Sequence, residues 1–183
     1  MTLFWRTVAF ALAGCCCFLS IPLIEASVLR RFAQVEPYHA NPVRSLGHKI
    51  KLRNDGYGKG YFGASRGNGT RRHKGIDILA PLGAMISTSK SGRVTAADTD
   101  KGYGLYVEVS HPDGTLTRYA HLSTLEVKRG QWVSRGTALG RCGKSGNADH
   151  PKIRPHLHYE IRQGGRAQDP TDGLLDPSLK IFP

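Results

Sequence analysis

The sequence predicts an all-β fold, an antiparallel sandwich or barrel-like sheet with long loops. Short apolar stretches with partial period-two alternation are separated by turn residues at intervals of roughly 8–12 residues, which is typical of such sheets. The 22 glycines and 10 prolines among 183 residues favour short strands and turns. No stretch after residue 30 repeats apolar residues at helical spacing over three turns. At 20.0 kDa the chain is long enough for one domain with a core.

An apolar segment of 18 residues, Thr7 to Ile24, precedes the predicted domain. Its length lies between the core of a signal peptide and a spanning helix of about 20 residues. Three alternatives stay open: a signal peptide cleaved after Ala26, an uncleaved membrane anchor, and a lipoprotein acylated at Cys15, since residues 12–15 resemble a lipobox. Each alternative places the domain outside the cytoplasm. We therefore predict export to the periplasm or cell envelope, with residues 1–26 as signal peptide or anchor.

Residues 27–60 mix proline, glycine and scattered charge without sustained periodicity. Such composition is typical of linkers and loops rather than of packed elements. We predict a tether over residues 27–45 and one domain over residues 46–183.

The charge balance is strongly basic, 26 lysines and arginines against 14 acidic residues, or +12. Outside the membrane such a domain is attracted to anionic cell-envelope polymers. Nucleic acid is excluded as a partner, because no recognition helix or aromatic-basic platform is visible and export argues against it. Three of the four cysteines lie in the apolar segment, which leaves Cys142 alone and excludes a disulfide-stapled fold.

Short apolar runs bounded by turn residues predict the strands of the sheet. An Asp-Gly pair at residues 113–114 predicts a tight hairpin between the third and fourth runs after Pro81. The predicted strands, in order, are residues 76–79, 85–88, 94–97, 105–109, 115–121, 132–133, 138–139 and 156–162.

Five polar residues form a pattern that indicates metal chemistry. His73 is placed at the entrance of the first predicted strand and Asp77 within it. In the last predicted strand, His156 and His158 are two residues apart and therefore point to the same face. His121 ends the return strand of the hairpin. Together they supply two histidines and one carboxylate as ligands plus two spare imidazoles, which suits a catalytic zinc site with three protein ligands and a neighbouring base.

Three motifs in this order resemble those of the lysostaphin/LytM-type zinc endopeptidases. They are His-Lys-Gly-Ile-Asp at residues 73–77, Tyr-Ala-His-Leu at 119–122 and Pro-His-Leu-His-Tyr-Glu at 155–160. The resemblance covers about residues 62–161. It implies the family's glucose-permease-like duplicated hybrid β fold and a Zn²⁺ cofactor. A longer loop than is usual in the family, residues 147–154, is expected to border the cleft.

The resemblance also implies roles for single residues. His73, Asp77 and His158 would bind Zn²⁺, while His121 and His156 would orient and deprotonate the attacking water. The implied function is an exported zinc metalloendopeptidase that hydrolyses peptide cross-links or stem peptides of peptidoglycan. The alternative is a non-catalytic zinc-containing module of the same fold, which binds cell wall or regulates an amidase.

A tyrosine hydroxyl is a further candidate to stabilise the oxyanion of the reaction. The sequence offers three such tyrosines and does not choose among them: Tyr57, Tyr61 and Tyr119.

Overall fold

The computed structural model describes residues 31, 32 and 34–183. The chain divides into two compact units, Met1–Pro37 and Tyr38–Pro183. In the first unit, residues 31, 32, 34 and 35 are helical, and the Glu36 N–H donates to the Phe32 carbonyl at 2.8 Å. The second unit includes residues 38–45, which we assign to the tether from sequence.

The predicted signal peptide or anchor, with Cys15, lies outside the described residues. Within the described part of the chain, no helix combines the length and apolarity needed to cross a bilayer.

The second unit consists of strands joined by loops and two 3₁₀ turns, at Arg44–Leu46 and Gly146–Ala148. In chain order the strands are β1 (Lys49–Lys51), β2 (Asn54–Asp55), β3 (Gly58–Lys59), β4 (Ser65–Arg66), β5 (Arg71–Arg72), β6 (Ile76–Leu79), β7 (Met85–Ser87), β8 (Gly92–Asp100), β9 (Gly104–Ser110), β10 (Thr115–Leu125), β11 (Trp132–Val133), β12 (Ala138–Cys142), β13 (His156–Gln163), β14 (Arg166–Gln168) and β15 (Lys180–Phe182).

Nine of these strands form one antiparallel sheet, which confirms the predicted fold class. Strands pair in the order β11-β8-β9-β10-β12-β7, and β13 joins β10 to β6 and β14. Strand β13 is therefore central, with neighbours on both edges. Both of its faces are buried along residues 156–161.

The strands that sequence reasoning missed are short or lie at the edges. Hairpins β2–β3 and β4–β5 have two-residue strands, too short to show alternation. Strands β1 and β15 pair in parallel, unlike the strands of the large sheet. Their pairing joins residues about 130 positions apart, a partnership that no local pattern reveals.

Side chains along the strands alternate between the two faces of the sheet. The apolar side chains on one face pack into a single hydrophobic core. Along β9, Val107 and Val109 are fully buried while their neighbours are half-buried. Leu157 is buried in the same core, so His156 and His158, on either side of it, face the other way. The apolar face of β13 thus packs in the core and stabilises the strand, and its opposite face carries the polar side chains.

The Asp-Gly hairpin joins β9 and β10 as predicted. The Gly114 N–H donates to the His111 carbonyl at 3.1 Å, and Gly114 has φ 81°, a conformation that glycine adopts without strain. Asp113 Oδ1 accepts from the N–H and the hydroxyl of Thr115. The turn sets the register in which Leu116 pairs with Ser110.

Gly75 allows β6 to approach β13 closely. A Cβ at this position would overlap the backbone carbonyl of Tyr159. We expect Gly75→Ala to lower the free energy of unfolding by about 1–3 kcal/mol, because the two backbones must separate. Denaturant unfolding of the full chain measures this. Gly56→Ala is the matched control, since nothing lies within 4 Å of its Cβ position. Equal stability of the two variants would contradict the expected close contact.

Candidate metal centre

Strand register brings the predicted ligands together. In the β6–β13 ladder, Asp77 is paired directly with His158. His73 lies in the loop between β5 and β6, where its N–H donates to the Ala64 carbonyl and its own carbonyl accepts from the Gly63 N–H. All three side chains are buried, between 2% and 7% exposed.

Three side-chain atoms form an equilateral triangle. His73 Nε2 is 2.9 Å from Asp77 Oδ1, Asp77 Oδ1 is 2.9 Å from His158 Nδ1, and the two nitrogens are 2.9 Å apart. Donor atoms around a tetrahedral zinc ion, with bonds of 2.0–2.2 Å, lie about 3.4 Å apart. The triangle therefore needs only a small expansion to fit that ion.

The ring nitrogens of His73 and His158 that point away from the triangle also form hydrogen bonds. These bonds determine which nitrogen of each ring carries the proton. His73 Nδ1 lies 2.9 Å from the Tyr61 carbonyl, which can only accept, so this nitrogen donates. His158 Nε2 lies 3.1 Å from the Glu160 carboxylate and donates to it. In the neutral rings, His73 Nε2 and His158 Nδ1 are therefore acceptors. Three acceptor atoms then face one another, an arrangement that requires a cation.

The charges around His158 favour a positive charge at this point. Burial lowers the pKa of His158, but the carboxylates of Asp77 and Glu160 raise it further, so the net direction is upward. Burial alone would raise the pKa of Asp77, and hydrogen bonds with His158 and His73 hold it well below its usual range. A metal ion at this point would displace the proton, as is general for histidine ligands.

Two arginines, which sequence reasoning missed, hold the other oxygen of Asp77. Arg53 approaches Asp77 Oδ2 with Nε at 3.2 Å and Nη2 at 3.0 Å, and Arg66 Nη2 is also at 3.0 Å. These contacts turn Oδ1 toward the histidines. Both arginines come from the glycine-rich segment before the first motif, where no local pattern marks them.

Glu160 contacts the Nε2 atom of His158, on the side of the ring opposite the ligand triangle. It is fully buried, and it accepts hydrogen bonds from Tyr103, Arg118 and Arg162 as well as from His158. Burial would raise the pKa of Glu160, but His158 and then Arg118 lower it to about 2, so the carboxylate stays ionised. Its spacing two residues after His158 on one strand face was the available indication of this contact.

The remaining two histidines lie beside the triangle. The His121 ring is 5.0 Å from the His156 ring and 5.8 Å from the His158 ring, centroid to centroid. His121 Nδ1 donates to the Ser145 carbonyl at 2.9 Å, and His156 Nδ1 to the Arg154 carbonyl at 2.7 Å. Each Nε2 is therefore left as an acceptor.

Burial keeps both of these rings neutral. It lowers the pKa of His121 to about 3, with His158 and His156 contributing further. Burial also lowers the pKa of His156, although Asp77 opposes the effect. Two neutral imidazoles with free Nε2 atoms beside an ion site can accept a proton from water.

His121 has φ 61°, an uncommon conformation for a residue other than glycine. Its N–H donates to the Tyr103 carbonyl and its carbonyl accepts from the Gly143 N–H, both at 2.9 Å. The β9–β10 register shifts at this point, between Tyr119 and Leu122. Backbone contacts thus impose the conformation that directs the ring into the site.

The site opens into a cleft of about 660 Å³. Asn147, Ala148 and Ile153 line it, so the loop over residues 147–154 borders the cleft as expected. Tyr119 does not provide the hydroxyl expected to stabilise the oxyanion. Its side chain is fully buried, and its hydroxyl forms hydrogen bonds with the N–H and the hydroxyl of Ser89 in the core. Tyr57 does line the cleft, and Tyr103 lines it as well.

The fold and the site together define a class, an antiparallel β-sheet domain with a buried His-Asp-His group that could hold a metal ion. Residues 71–170, more than half of the chain, match the model of Peptidase family M23. The chain therefore belongs to peptidase family M23. The catalytic domain of the antimicrobial peptidase lysostaphin from Staphylococcus simulans is similar in structure, with a TM-score of 0.54 and 29% identity over 66% of this chain and 91% of that domain. The predicted resemblance is confirmed.

Two relatives of this chain are named for different roles, one as an endopeptidase and one as an activator of hydrolases. Peptidoglycan DD-endopeptidase ShyA from Vibrio cholerae serotype O1 is 40% identical over 94 residues, 51% of this chain and 21% of that protein. Murein hydrolase activator NlpD from Salmonella dublin is 36% identical over 110 residues, 60% of this chain and 27% of that protein. The chain thus spans about a fifth to a quarter of the length of these relatives.

Proposed function

We propose that this chain is an exported zinc metalloendopeptidase that hydrolyses peptide cross-links or stem peptides of peptidoglycan. The observation that carries the proposal is the triangle of three acceptor atoms, 2.9 Å on each side, with two neutral imidazoles beside it. Membership of family M23 and the likeness to a named peptidoglycan endopeptidase support the substrate class.

His73, Asp77 and His158 would hold Zn²⁺ through two nitrogens and one oxygen, the donor set that zinc prefers. The chemistry that Zn²⁺ supplies when bound is Lewis acidity, which polarises a carbonyl and makes water a nucleophile at neutral pH. Arg53 and Arg66 keep the Asp77 oxygen aimed at the site.

His121 and His156 would move the proton. Each holds a proton on Nδ1 for a backbone carbonyl, so Nε2 is free to take one from the attacking water. The same nitrogen then returns that proton to the leaving amine. Burial of the two rings keeps them in the neutral form that a base requires.

Defined muropeptides provide the direct test. The full chain, loaded with one equivalent of zinc, is incubated with cross-linked stem peptides and with glycine-bridged peptides, and products are identified by mass. Cleavage of an internal peptide bond that stops when a chelator removes the zinc is the expected result. Stoichiometric zinc with every substrate intact would overturn the proposed activity.

A second candidate function is a non-catalytic zinc-containing module that binds cell wall or activates a hydrolase. The description of NlpD as a murein hydrolase activator favours it. The presence of His121 and His156 in the cleft beside the ligand triangle favours the enzyme. An activator would raise the rate of a separate wall amidase and leave the muropeptides uncut when alone.

Two features of the sequence support a proposed location and proposed partners. They are the apolar segment before residue 27 and the net positive charge of the chain. We propose export, with residues 1–26 as signal peptide or anchor and with membrane attachment through residues 7–24 or lipid on Cys15. Partners would be peptidoglycan peptides and anionic envelope polymers, drawn by the net charge of +12.

Glu160→Gln is expected to weaken zinc affinity by about 10–100-fold, because it removes the charge that raises the basicity of His158. Competition with a chromogenic chelator measures the affinity. Glu126→Gln is the matched control, a change at an exposed ion pair with Arg141. Unchanged zinc affinity in Glu160→Gln would show that the carboxylate does not support the ligand.

A further inference from the structure

The β4–β5 hairpin forms one wall of the cleft and concentrates positive charge there. Four basic side chains from residues 65–74 line the cleft: Arg66, Arg71, Arg72 and Lys74. Arg71, Arg72 and Lys74 are exposed, so their charges face solvent at the mouth of the cleft.

The register of this hairpin places two like charges side by side. Arg66 is paired directly with Arg71 across the two strands, an arrangement that destabilises a hairpin. Arg66 is compensated, because its Nη2 atom is 3.0 Å from Asp77 Oδ2. Among residues 34–183, no carboxylate lies within 4.0 Å of the charged groups of Arg71, Arg72 or Lys74. Their charge is therefore uncompensated in the folded domain.

The carboxylates in the cleft form no ion pair with Arg71, Arg72 or Lys74. Asp77 is held by Arg53 and Arg66, and Glu160 by arginines on the sheet. Asp100 lies in the cleft, and its Oδ1 accepts from the backbone N–H groups of Gly102 and Tyr103, in the β8–β9 turn. The hairpin wall thus has a surplus of cationic donors.

We infer that the two arginines of β5, Arg71 and Arg72, both of which line the cleft, provide an anion subsite in which one guanidinium takes a carboxylate of the peptide substrate. A guanidinium donates two parallel hydrogen bonds to a carboxylate, and Arg72 directly precedes the predicted ligand His73. The subsite rests on the proposed function and specifies its substrate class. Stem peptides carry free carboxylates and glycine bridges carry none, so the subsite selects acidic stem peptides.

Three variants and two matched substrates test this inference. The substrates are cross-linked stem-peptide dimers that differ only in their side-chain and terminal acids, either free carboxylates or carboxamides. The full zinc-loaded chain is compared with Arg71→Gln/Arg72→Gln and with a control, Arg129→Gln/Arg135→Gln, which changes two exposed arginines outside the cleft lining. A charge-retaining variant, Arg71→Lys/Arg72→Lys, separates charge from bidentate geometry.

The parent is expected to show a kcat/KM about tenfold higher for the acidic dimer, as one charge-assisted contact allows. Arg71→Gln/Arg72→Gln should lose that preference, and the control should keep it. The lysine variant should retain part of it. Equal rates on both dimers in the parent, or an unchanged preference in the glutamine variant, would overturn the subsite.

Binding separates this inference from the proposed function. If neither dimer is cut, the proposed activity fails, and calorimetric titration of the same two dimers still tests the subsite. Affinity about tenfold tighter for the carboxylate dimer, lost in Arg71→Gln/Arg72→Gln, supports an anion subsite in a non-catalytic module. Equal affinities would refute it in either case. Tighter binding that the control also loses would indicate attraction to the whole basic surface instead.

Discussion

His158→Ala is expected to abolish stoichiometric zinc binding and to reduce peptide hydrolysis by more than about a hundredfold, the upper effect for a residue that only supports a ligand. The variant removes one vertex of the acceptor triangle and also the contact that links Asp77 to Glu160. Metal analysis of the purified chain measures the first effect, and muropeptide cleavage the second.

The control for this variant is His48→Ala. His48 is exposed and contacts Ser178 far from the cleft, so its loss tests only the general effect of removing an imidazole. The control should retain one zinc per chain. A His158→Ala protein that still bound one tight zinc ion would show that the triangle is not the metal site.

His121→Asn is expected to keep zinc and to lower the rate of hydrolysis by about 10²–10⁴-fold, the contribution of a general acid or base. Asparagine is chosen because it tolerates the φ of 61° at this position better than alanine does. The variant removes Nε2, the atom assigned to proton transfer, and leaves all three triangle residues in place.

Three readouts for His121→Asn separate a catalytic role from a structural one. Zinc content and thermal stability should match the parent, while turnover falls; His48→Asn should alter none of the three. If the variant cuts muropeptides at the parental rate, the proton-transfer role is wrong. If it loses zinc, His121 belongs to the metal site instead.

Much of the sheet was predictable because its long strands show alternating apolar and polar residues and are bounded by turn residues. The hairpin at residues 111–114 has an Asp-Gly pair, and strand β13 has its apolar and polar residues in alternation. Hairpin β4–β5 was missed because four strand residues cannot show a period. Its arginines were missed with it, although one of them holds the predicted ligand Asp77.

By itself, the sequence determined which residues share a face. Two-residue spacing puts His156, His158 and Glu160 on one side of β13, since side chains alternate along any strand. Only the tertiary structure decided that Asp77 lies opposite His158, and that Arg53 and Arg66 complete its hydrogen bonds. Register and long-range pairing depend on the packing of the whole core, and a shift by one residue would turn every one of these side chains to the other face.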